Sequence, residues 1–383
     1  MPPPSDTERA HSARVVAHLV HAIADEEGWI SFADYMNAAL YAPGLGYYAA
    51  GAHKFGAGGD FITAPELTPL FGRTLAVQLA QVLAQVPDGE ILEIGPGSGR
   101  LAADVLTALA GQGSLPSHYL LLEVSSDLRE RQREQLAAKV GDLMPRVQWI
   151  DVLPERWQGA VVANEVLDAV PAHLVVRRDG QWFERGVSLD ASAHLAFADR
   201  PLPVGMLRRM AESRFPDHGD YASEVNPTGE ALVTGIAERC ARGAMLLVDY
   251  GFPAAEYYHP QRDRGTLMAH YRHRALADPF CYPGLIDMTA HVDFSAMARA
   301  GIAAGMSVAG FATQAHFLVN CGVLDALARC GDPQSAAYLR AANAVQRLTS
   351  PAEMGELFKV LALARGIEAK LIGFSEGDHS HRL

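Results

Sequence analysis

A glycine-rich turn after an apolar segment holds the residues with the clearest chemical potential. The apolar run 91–94 contains Glu93 and is followed by Gly95, Gly97 and Gly99, after which a helical pattern begins. Glycines at such a turn let a ligand approach the backbone and leave the N–H groups of the helix start accessible. The pattern therefore predicts a site for a nucleotide-derived cofactor.

Two classes of cofactor are bound by this architecture, dinucleotides and S-adenosylmethionine. A dinucleotide fold needs the spacing G-x-G-x-x-G, whereas here Arg100 follows Gly99 and the third glycine comes one residue early. Glu93 would repel a pyrophosphate, but it suits a cofactor that carries an ammonium and a sulfonium group. We therefore predict S-adenosylmethionine as the cofactor. A dehydrogenase and a tight turn without a ligand are the alternatives.

Acidic residues after the next two apolar runs predict the rest of this cofactor site. Glu123 lies 24 residues after Gly99, where a carboxylate can accept both ribose hydroxyls. Asp151 and Val152 follow the apolar run 147–150, where the adenine edge is expected, and Asp151 could accept from the exocyclic amine. A surface aspartate at a strand end is the alternative interpretation of Asp151.

The segment after the fourth apolar run predicts the catalytic residues, because ligands bind beyond the carboxyl ends of parallel strands. Asn164 could contact the methionine end of the cofactor, and Glu165 and Asp168 lie three residues apart in one turn. If the acceptor is a guanidinium, two carboxylates can hold its fork and accept the proton that is lost. The alternative is that Asn164 caps a short helix and Glu165 complements its dipole.

These residues are positioned by a predicted α/β core. From Glu90, short apolar runs alternate with helical stretches at 99–111 and 126–140, which is typical of a mostly parallel, doubly wound sheet. The run 244–251 predicts another buried strand, and 306–311 with 357–363 predict a closing antiparallel pair. We expect a core over 89–383 with insertions at about 172–200 and 252–290.

The N-terminal residues 1–88 are predicted to be a helical segment that carries a loop. Apolar spacing indicates a helix over 8–25, and a second helix begins at Ser31 and ends before Pro43. Six glycines between Tyr41 and Pro65 exclude an ordered helix there, so we predict a mobile lid over 44–59. A third helix is expected to open at Pro65 and Glu66.

Composition narrows the class of protein. Lys and Arg number 32 against 44 Asp and Glu, for a net charge of −12, which disfavours nucleic acid as a partner. The four cysteines are too sparse to form a disulfide framework, and the acidic start is unlike a secretory or transit signal, so we expect a cytoplasmic protein. Polar residues interrupt the uncharged stretch 300–319, which we interpret as buried strand and loop rather than as a membrane span.

Several segments together give a more specific resemblance. The chain resembles the MidA-like methyltransferase family, whose eukaryotic members are mitochondrial complex I assembly factors that act as protein-arginine methyltransferases, over about 31–365. The segments that carry the resemblance are GDFITAPELTPLFG (59–72), LEIGPGSG (92–99), ANEVLDAVP (163–171), LVDYG (247–251), DMTAHVDF (287–294), TQAHFL (313–318) and EMGELFKVLAL (353–363).

The resemblance implies a class I (Rossmann-like) methyltransferase fold with S-adenosylmethionine as methyl donor. It implies a cofactor site at the three glycines and Glu123, and that 59–66, including Thr63 and Pro65, folds over the cofactor. The expected partner is a protein substrate, with a respiratory-complex subunit as the candidate that the family suggests. An assembly chaperone that binds the cofactor only structurally, and a methyltransferase for a small molecule, remain the alternatives.

Overall fold

The N-terminal part of the chain is helical. The computed structural model describes residues 3–50, 63–272 and 274–383. The Ser5 hydroxyl accepts the N–H of Glu8 at the start of the first helix, and Ser31 in the same way accepts the N–H of Asp34 in the second. These elements are α1 (Asp6–Asp25), β1 (Ile30–Ser31), α2 (Phe32–Tyr41), α3 (Ala64–Leu67) and α4 (Pro69–Leu83). Most of the predicted lid, 44–59, lies outside the described residues.

The single helix predicted from Pro65 is wrong, because two helices follow in succession. Thr68 is extended, with φ −163° and ψ 143°, and separates α3 from α4. A proline disfavours helical backbone at the residue before it, and Pro69 occupies the first turn of α4, where its missing N–H costs nothing. The Thr68 side chain accepts the N–H of Leu70 and caps the new helix.

The next part of the chain alternates strands with helices, as the apolar runs predict. Its elements are β2 (Glu90–Ile94), α5 (Arg100–Gln112), β3 (Tyr119–Leu122), α6 (Ser126–Val140), β4 (Val147–Ile150) and β5 (Trp157–Asn164). A mainly antiparallel part follows, with β6 (His173–Arg178), β7 (Gln181–Leu189), β8 (Leu195–Pro201), α7 (Met206–Glu212), β9 (Tyr221–Val225) and α8 (Pro227–Glu238).

The last part of the chain returns to the first sheet. Its strands are β10 (Cys240–Phe252), β11 (Met268–Tyr271), β12 (Arg274–Leu276), β13 (Asp287–Thr289), β14 (Val292–Asp293), β15 (Ser307–Thr313) and β16 (Phe358–Arg365). Its helices are α9 (Ala254–Tyr257), α10 (Phe294–Ala303), α11 (Gln314–Asn320), α12 (Val323–Ala328), α13 (Ala336–Thr349) and α14 (Met354–Leu357).

The central sheet has the predicted mixed character. Its strand order is β15-β16-β10-β5-β2-β3-β4, with β14 also paired to β10. The strands from β10 to β4 are parallel, and β16 is antiparallel to both β10 and β15, so the predicted closing pair is confirmed. Along β10, Leu246 and Val248 face one apolar cluster and Met245 and Leu247 the other, which shows that both faces of the sheet are covered.

A second, antiparallel sheet has the order β1-β7-β6-β9, with β8 paired to β7. It takes its strands from the region of the first predicted insertion and from the residues just after it, and β1 comes from the N-terminal segment. Strands β12, β11 and β13 form a third small sheet within the second predicted insertion. The N-terminal segment is therefore joined to the inserted residues by hydrogen bonds as well as by packing.

The uncharged stretch 300–319 differs from its interpretation as strand and loop. It contains the end of α10, the whole of β15 and most of α11, which begins where Thr313 accepts the N–H of His316. The helix was missed because a Thr N-cap in an apolar stretch is a weak signal. Within the described residues, no helix is both long and apolar enough to cross a membrane.

Candidate active site

A cavity of about 530 Å³ lies at the carboxyl ends of β2, β3, β5 and β10. This volume is typical of sites for small molecules and cofactors. One side of it is formed by the glycine-rich turn and the residues after β3, and the opposite side by the turn after β5. The turn after α2, the start of α3 and strand β13 complete the walls.

The glycine-rich turn adopts a backbone that residues with side chains rarely adopt. Gly95, Gly97 and Gly99 have φ values of 61°, 54° and 80°. A Cβ atom on Gly95 would also lie 3.0 Å from Cγ2 of Val166. Gly95 and Gly97 line the cavity, whereas Gly99 begins α5 and lies outside the cavity lining. The glycine-rich turn therefore exposes backbone without side chains to the cavity, as the sequence predicts.

Glu93 lies in the cavity wall and is 2% exposed. The Tyr119 hydroxyl donates to its Oε2 at 2.6 Å. Burial raises the pKa of Glu93 to about 8, although the hydrogen bond from Tyr119 opposes this shift. A cationic group bound beside it would favour the ionised form, which suits the predicted ammonium and sulfonium of the cofactor.

Glu123 also lines the cavity, and its two oxygens have different partners. The Ser125 N–H donates to Oε1 at 2.8 Å, and the Gln132 side-chain amide donates to Oε2 at 3.2 Å. The same amide donates to the Gly97 carbonyl at 2.8 Å, and Trp149 donates to the Gln132 oxygen. Gln132 therefore ties the glycine-rich turn to the ribose-binding candidate, a role that nothing in its sequence context indicates.

Asp151 and Val152, predicted at the adenine edge, lie outside the cavity lining. The Asp151 side chain is 85% exposed and pairs with Arg129 at 2.8 Å, and Val152 is 74% exposed. Both follow β4, two strands away from β2. Contact between these residues and adenine stays a prediction. Thr63 and Pro65 do line the cavity, as the family resemblance implies.

Asn164, Glu165 and Asp168 all line the opposite side of the cavity. Glu165 has φ 54°, a conformation that costs energy for a residue with a side chain and that clusters at functional sites. The N–H groups of residues 166, 167 and 168 all donate to Oδ2 of Asp249, at 2.9 to 3.3 Å. The turn is therefore capped by a residue 81 positions after Asp168, and the alternative that Asn164 caps it is wrong.

The two candidate catalytic carboxylates differ in their hydrogen bonding. Glu165 Oε1 accepts the Ala64 N–H at 3.2 Å and the Asn164 amide at 3.1 Å. Asp168 Oδ2 accepts the hydroxyl of Tyr250, while Oδ1 of Asp168 and Oδ1 of Asn164 are buried without a hydrogen-bond partner. Buried oxygens of this kind at a cavity wall are ready to accept hydrogen bonds from a ligand.

Burial dominates the ionisation of this group of acids. Burial and the charge of Asp168 raise the pKa of Glu165 to about 8, and burial raises the pKa of Asp168 to about 6, against the hydrogen bond from Tyr250. Burial and the two neighbouring acids also raise the pKa of Asp249, while its backbone donors lower it. The turn would consequently gain from a bound cation.

Short helix α3 touches both sides of the cavity. Its Ala64 N–H bonds to Glu165, and its Glu66 accepts from Ser98 and pairs with Arg100 at 3.0 Å. The described lining carries six carboxylates, and no Lys, Arg or His belongs to it within the same described residues. The cavity therefore favours positively charged ligands and disfavours phosphates.

Comparisons with known proteins agree with this geometry. Residues 73–312 match a family described as S-adenosyl-L-methionine-dependent methyltransferases. A crystal structure from Burkholderia thailandensis, bound to S-adenosyl-homocysteine, is 49% identical and superposes with a TM-score of 0.96 over 100% of both chains. The mitochondrial protein arginine methyltransferases NDUFAF7 of Danio rerio and Mus musculus are each 30% identical, over 91% and 94% of this chain and 86% and 87% of theirs.

The residues fit S-adenosylmethionine, the cofactor predicted from the sequence. The bare backbone at Gly95 and Gly97 leaves room for the ligand, Glu93 and Glu123 can accept from its ammonium and ribose hydroxyls, and the unpartnered Asn164 oxygen adds a further acceptor. The match over 73–312 and the relatives that span nearly the whole chain lead to one conclusion. The chain belongs to the MidA-like family of S-adenosylmethionine-dependent methyltransferases.

Proposed function

We propose that this protein methylates an arginine side chain of a protein acceptor. The observation that carries the proposal is the pair Glu165 and Asp168 beside the cofactor turn, with Oδ1 of Asp168 buried and unpartnered. Two adjacent carboxylates suit the planar fork of a guanidinium. The NDUFAF7 relatives are protein arginine methyltransferases, which supports the same acceptor.

We also propose that the central sheet is that of a class I (Rossmann-like) methyltransferase. The support is its strand order, in which parallel strands from β4 to β10 are followed by the reversed strand β16. In open sheets of this kind the ligand lies beyond the carboxyl ends of the parallel strands, where the cavity is found.

The chain's own residues can perform three tasks. When bound, S-adenosylmethionine supplies a methyl group made electrophilic by its positively charged sulfur. Glu165 and Asp168 hold the guanidinium so that one nitrogen faces the cofactor side of the cavity. Tyr250 holds Oδ2 of Asp168, which leaves Oδ1 to accept the proton that the nitrogen loses. The tyrosines and apolar residues of the wall exclude water from the site.

Asp168 is the better proton acceptor of the two acids. With a pKa of about 6 it is largely ionised at neutral pH, whereas Glu165, with a pKa of about 8, is largely protonated until a cation enters. Glu165 would thus respond to the acceptor by ionising, and Asp168 would already be charged. Together with the unpartnered Oδ1 of Asp168, this difference favours Asp168 as the proton acceptor and Glu165 as a binding group.

The proposal is tested by labelled methyl transfer into a lysate from a strain that lacks the gene. The purified protein should place label in protein, and acid hydrolysis should release it as methylarginine. Following the family resemblance, respiratory-complex subunits are the first acceptors to examine. Asp168→Asn, with S-adenosylhomocysteine affinity unchanged, should abolish the label.

Other outcomes identify the alternatives. Label in lysine or in a small molecule would replace the arginine proposal. An absence of label, together with full rescue of the deletion strain by Asp168→Asn, would favour an assembly chaperone that binds the cofactor without catalysis.

A further inference from the structure

We propose that Asp287, held by Tyr48, is a third acceptor-binding carboxylate that selects a guanidinium over an ammonium group. This proposal rests on the proposed arginine acceptor, and it assigns one further residue of the cavity wall to acceptor binding. Asp287 lies in β13, about 120 residues after Asp168, and outside the pair that the sequence singled out.

Asp287 lies in the cavity wall beside the turn after β5 that carries Glu165 and Asp168. Asp287 is 4% exposed and lines the cavity together with Glu165 and Asp168. The Ala290 N–H donates to the Asp168 carbonyl at 2.9 Å, which fixes the end of β13 against the turn. The charge of Asp287 contributes to the raised pKa of Glu165, so the two carboxylates are close enough to interact. A cation between them would relieve this repulsion.

Tyr48 orients the Asp287 carboxylate. Its hydroxyl donates to Oδ1 of Asp287 at 3.0 Å. The ring of Tyr48 stacks on that of Tyr41, with centroids 5.5 Å apart and planes at 21°, and Tyr41 donates to the Ala169 carbonyl at 3.0 Å. Both tyrosines line the cavity. The end of α2 and the turn after it are therefore each attached to this end of the cavity by one tyrosine hydroxyl.

This arrangement matches the shape of a guanidinium better than that of an ammonium. A guanidinium presents five N–H donors around the edge of a plane, and its faces stack on aromatic rings. Three carboxylates that line one cavity can accept from different edges of the plane, and Tyr41 and Tyr48 in the same wall offer rings to its face. An ammonium is a compact, strongly hydrated charge that cannot engage as many carboxylates at once. Asp287 thus adds selectivity to the charge that Glu165 and Asp168 provide.

The test measures binding of two small cations to the protein loaded with S-adenosylhomocysteine. Methylguanidinium represents arginine and methylammonium represents lysine. For Asp287→Asn we expect at least tenfold weaker binding of methylguanidinium and little change for methylammonium. Asp142→Asn, which removes the same charge at an exposed position, is the matched control and should leave both affinities unchanged.

Tyr48→Phe tests the positioning role and provides a second variant if Asp287→Asn does not fold. It should weaken methylguanidinium binding by about threefold, and the double variant should be no weaker than Asp287→Asn alone, because Tyr48 acts through Asp287. With an arginine peptide as substrate, Asp287→Asn should raise KM more than it lowers kcat. Loss of S-adenosylhomocysteine affinity in either variant would overturn the proposal, since both residues would then serve the cofactor.

The two proposals fail in different ways. A wild-type protein that binds no methylguanidinium and labels no arginine contradicts the arginine acceptor itself. A wild-type protein that labels arginine, with Asp287→Asn and Tyr48→Phe showing unchanged methylguanidinium affinity and KM, contradicts the role of Asp287 alone.

Discussion

The cofactor side of the cavity and the side proposed to bind the methyl acceptor, here called the acceptor side, are built in different ways. The cofactor side comes mainly from one stretch, from Glu93 to Gln132, in which strand, glycine turn and second acid follow each other, with additions from the start of α3 and the end of β5. The acceptor side combines four segments, represented by Tyr48, Glu165, Tyr250 and Asp287. Its geometry depends on contacts between residues that are more than 80 positions apart.

The hydrogen bonding of the two sides differs accordingly. Glu123 has a donor for each oxygen, and Glu93 has one from Tyr119. On the acceptor side, Oδ1 of Asp168 lacks a partner. The cofactor side is thus preorganised by its own neighbours, whereas the acceptor side leaves an oxygen open for a ligand that donates hydrogen bonds.

The largest expected effect is a loss of cofactor binding from a change on the cofactor side alone. Gly97→Val should abolish binding of S-adenosylhomocysteine, because Gly97 has φ 54° and lines the cavity, so that a β-branched side chain would both strain the turn and occupy ligand space. Calorimetry should show no binding, while circular dichroism shows an unchanged fold. Retained affinity would remove the glycine turn from the site.

Removing the charges of the acceptor side should impair methyl transfer and leave cofactor binding intact. Glu165→Gln and Asp168→Asn keep size and polarity, and each should lower methyl transfer by roughly 10² or more, the usual effect of losing a positioned acid or base. S-adenosylhomocysteine affinity should stay within a few-fold. The two changes should be non-additive because they act on one group. Full activity of the double variant would contradict the arginine mechanism.

A smaller effect is expected from Glu123→Ala on the cofactor side. If Glu123 accepts the ribose hydroxyls as predicted, its removal should weaken S-adenosylhomocysteine binding by about 1.5 to 3 kcal/mol, the range for hydrogen bonds to a charged group. Exposed Glu155→Ala is the matched control and should bind as the wild type does. Unchanged affinity of Glu123→Ala would mean that the ribose is held elsewhere.

The smallest effects concern pH and again separate the two sides. If Asp168 accepts the proton as proposed, kcat/KM should rise about tenfold per pH unit below its pKa of about 6 and level off above it. Asp168→Asn should lack this dependence, whereas S-adenosylhomocysteine affinity should not follow the same curve. A wild-type profile that is flat from pH 5 to 7 would contradict the role of Asp168.

The free energy of unfolding should decrease as the pH rises, whereas kcat/KM should increase. Asp168 and Glu165 have folded-state pKa values of about 6 and about 8, above the ordinary values near 4, so the folded state holds their protons more tightly than the unfolded chain does. Their contribution to stability is complete below about pH 4 and is lost progressively as the pH rises from there through the folded-state pKa values, about 6 for Asp168 and about 8 for Glu165. Denaturant unfolding of the double variant Glu165→Gln, Asp168→Asn should show a smaller loss over this range.

Local patterns were sufficient to predict much of the molecule. The alternation of strands and helices after Glu90 predicted the mixed sheet, and Ser31 was predicted as the start of α2, whereas α1 begins two residues before the predicted position 8. The sequence pattern did not predict the helix break at Thr68, because the apolar spacing continues across it. Pro69 is the one local signal that indicates the break. The predicted lid over 44–59 remains to be tested by hydrogen exchange with and without S-adenosylhomocysteine.

The sequence by itself determined the cofactor class, because Glu93, the three glycines and Glu123 lie within one strand-turn-helix-strand unit whose geometry is local. Only the tertiary structure decided the acceptor side. Asp249 caps the turn after β5, and Tyr250 donates a hydrogen bond to Asp168. Tyr48 donates to Asp287, which lies 239 residues later in the chain. Hydrogen bonds between residues so far apart in the sequence leave no recognisable periodicity or spacing in it, because they form only when the sheet and its inserted segments pack together.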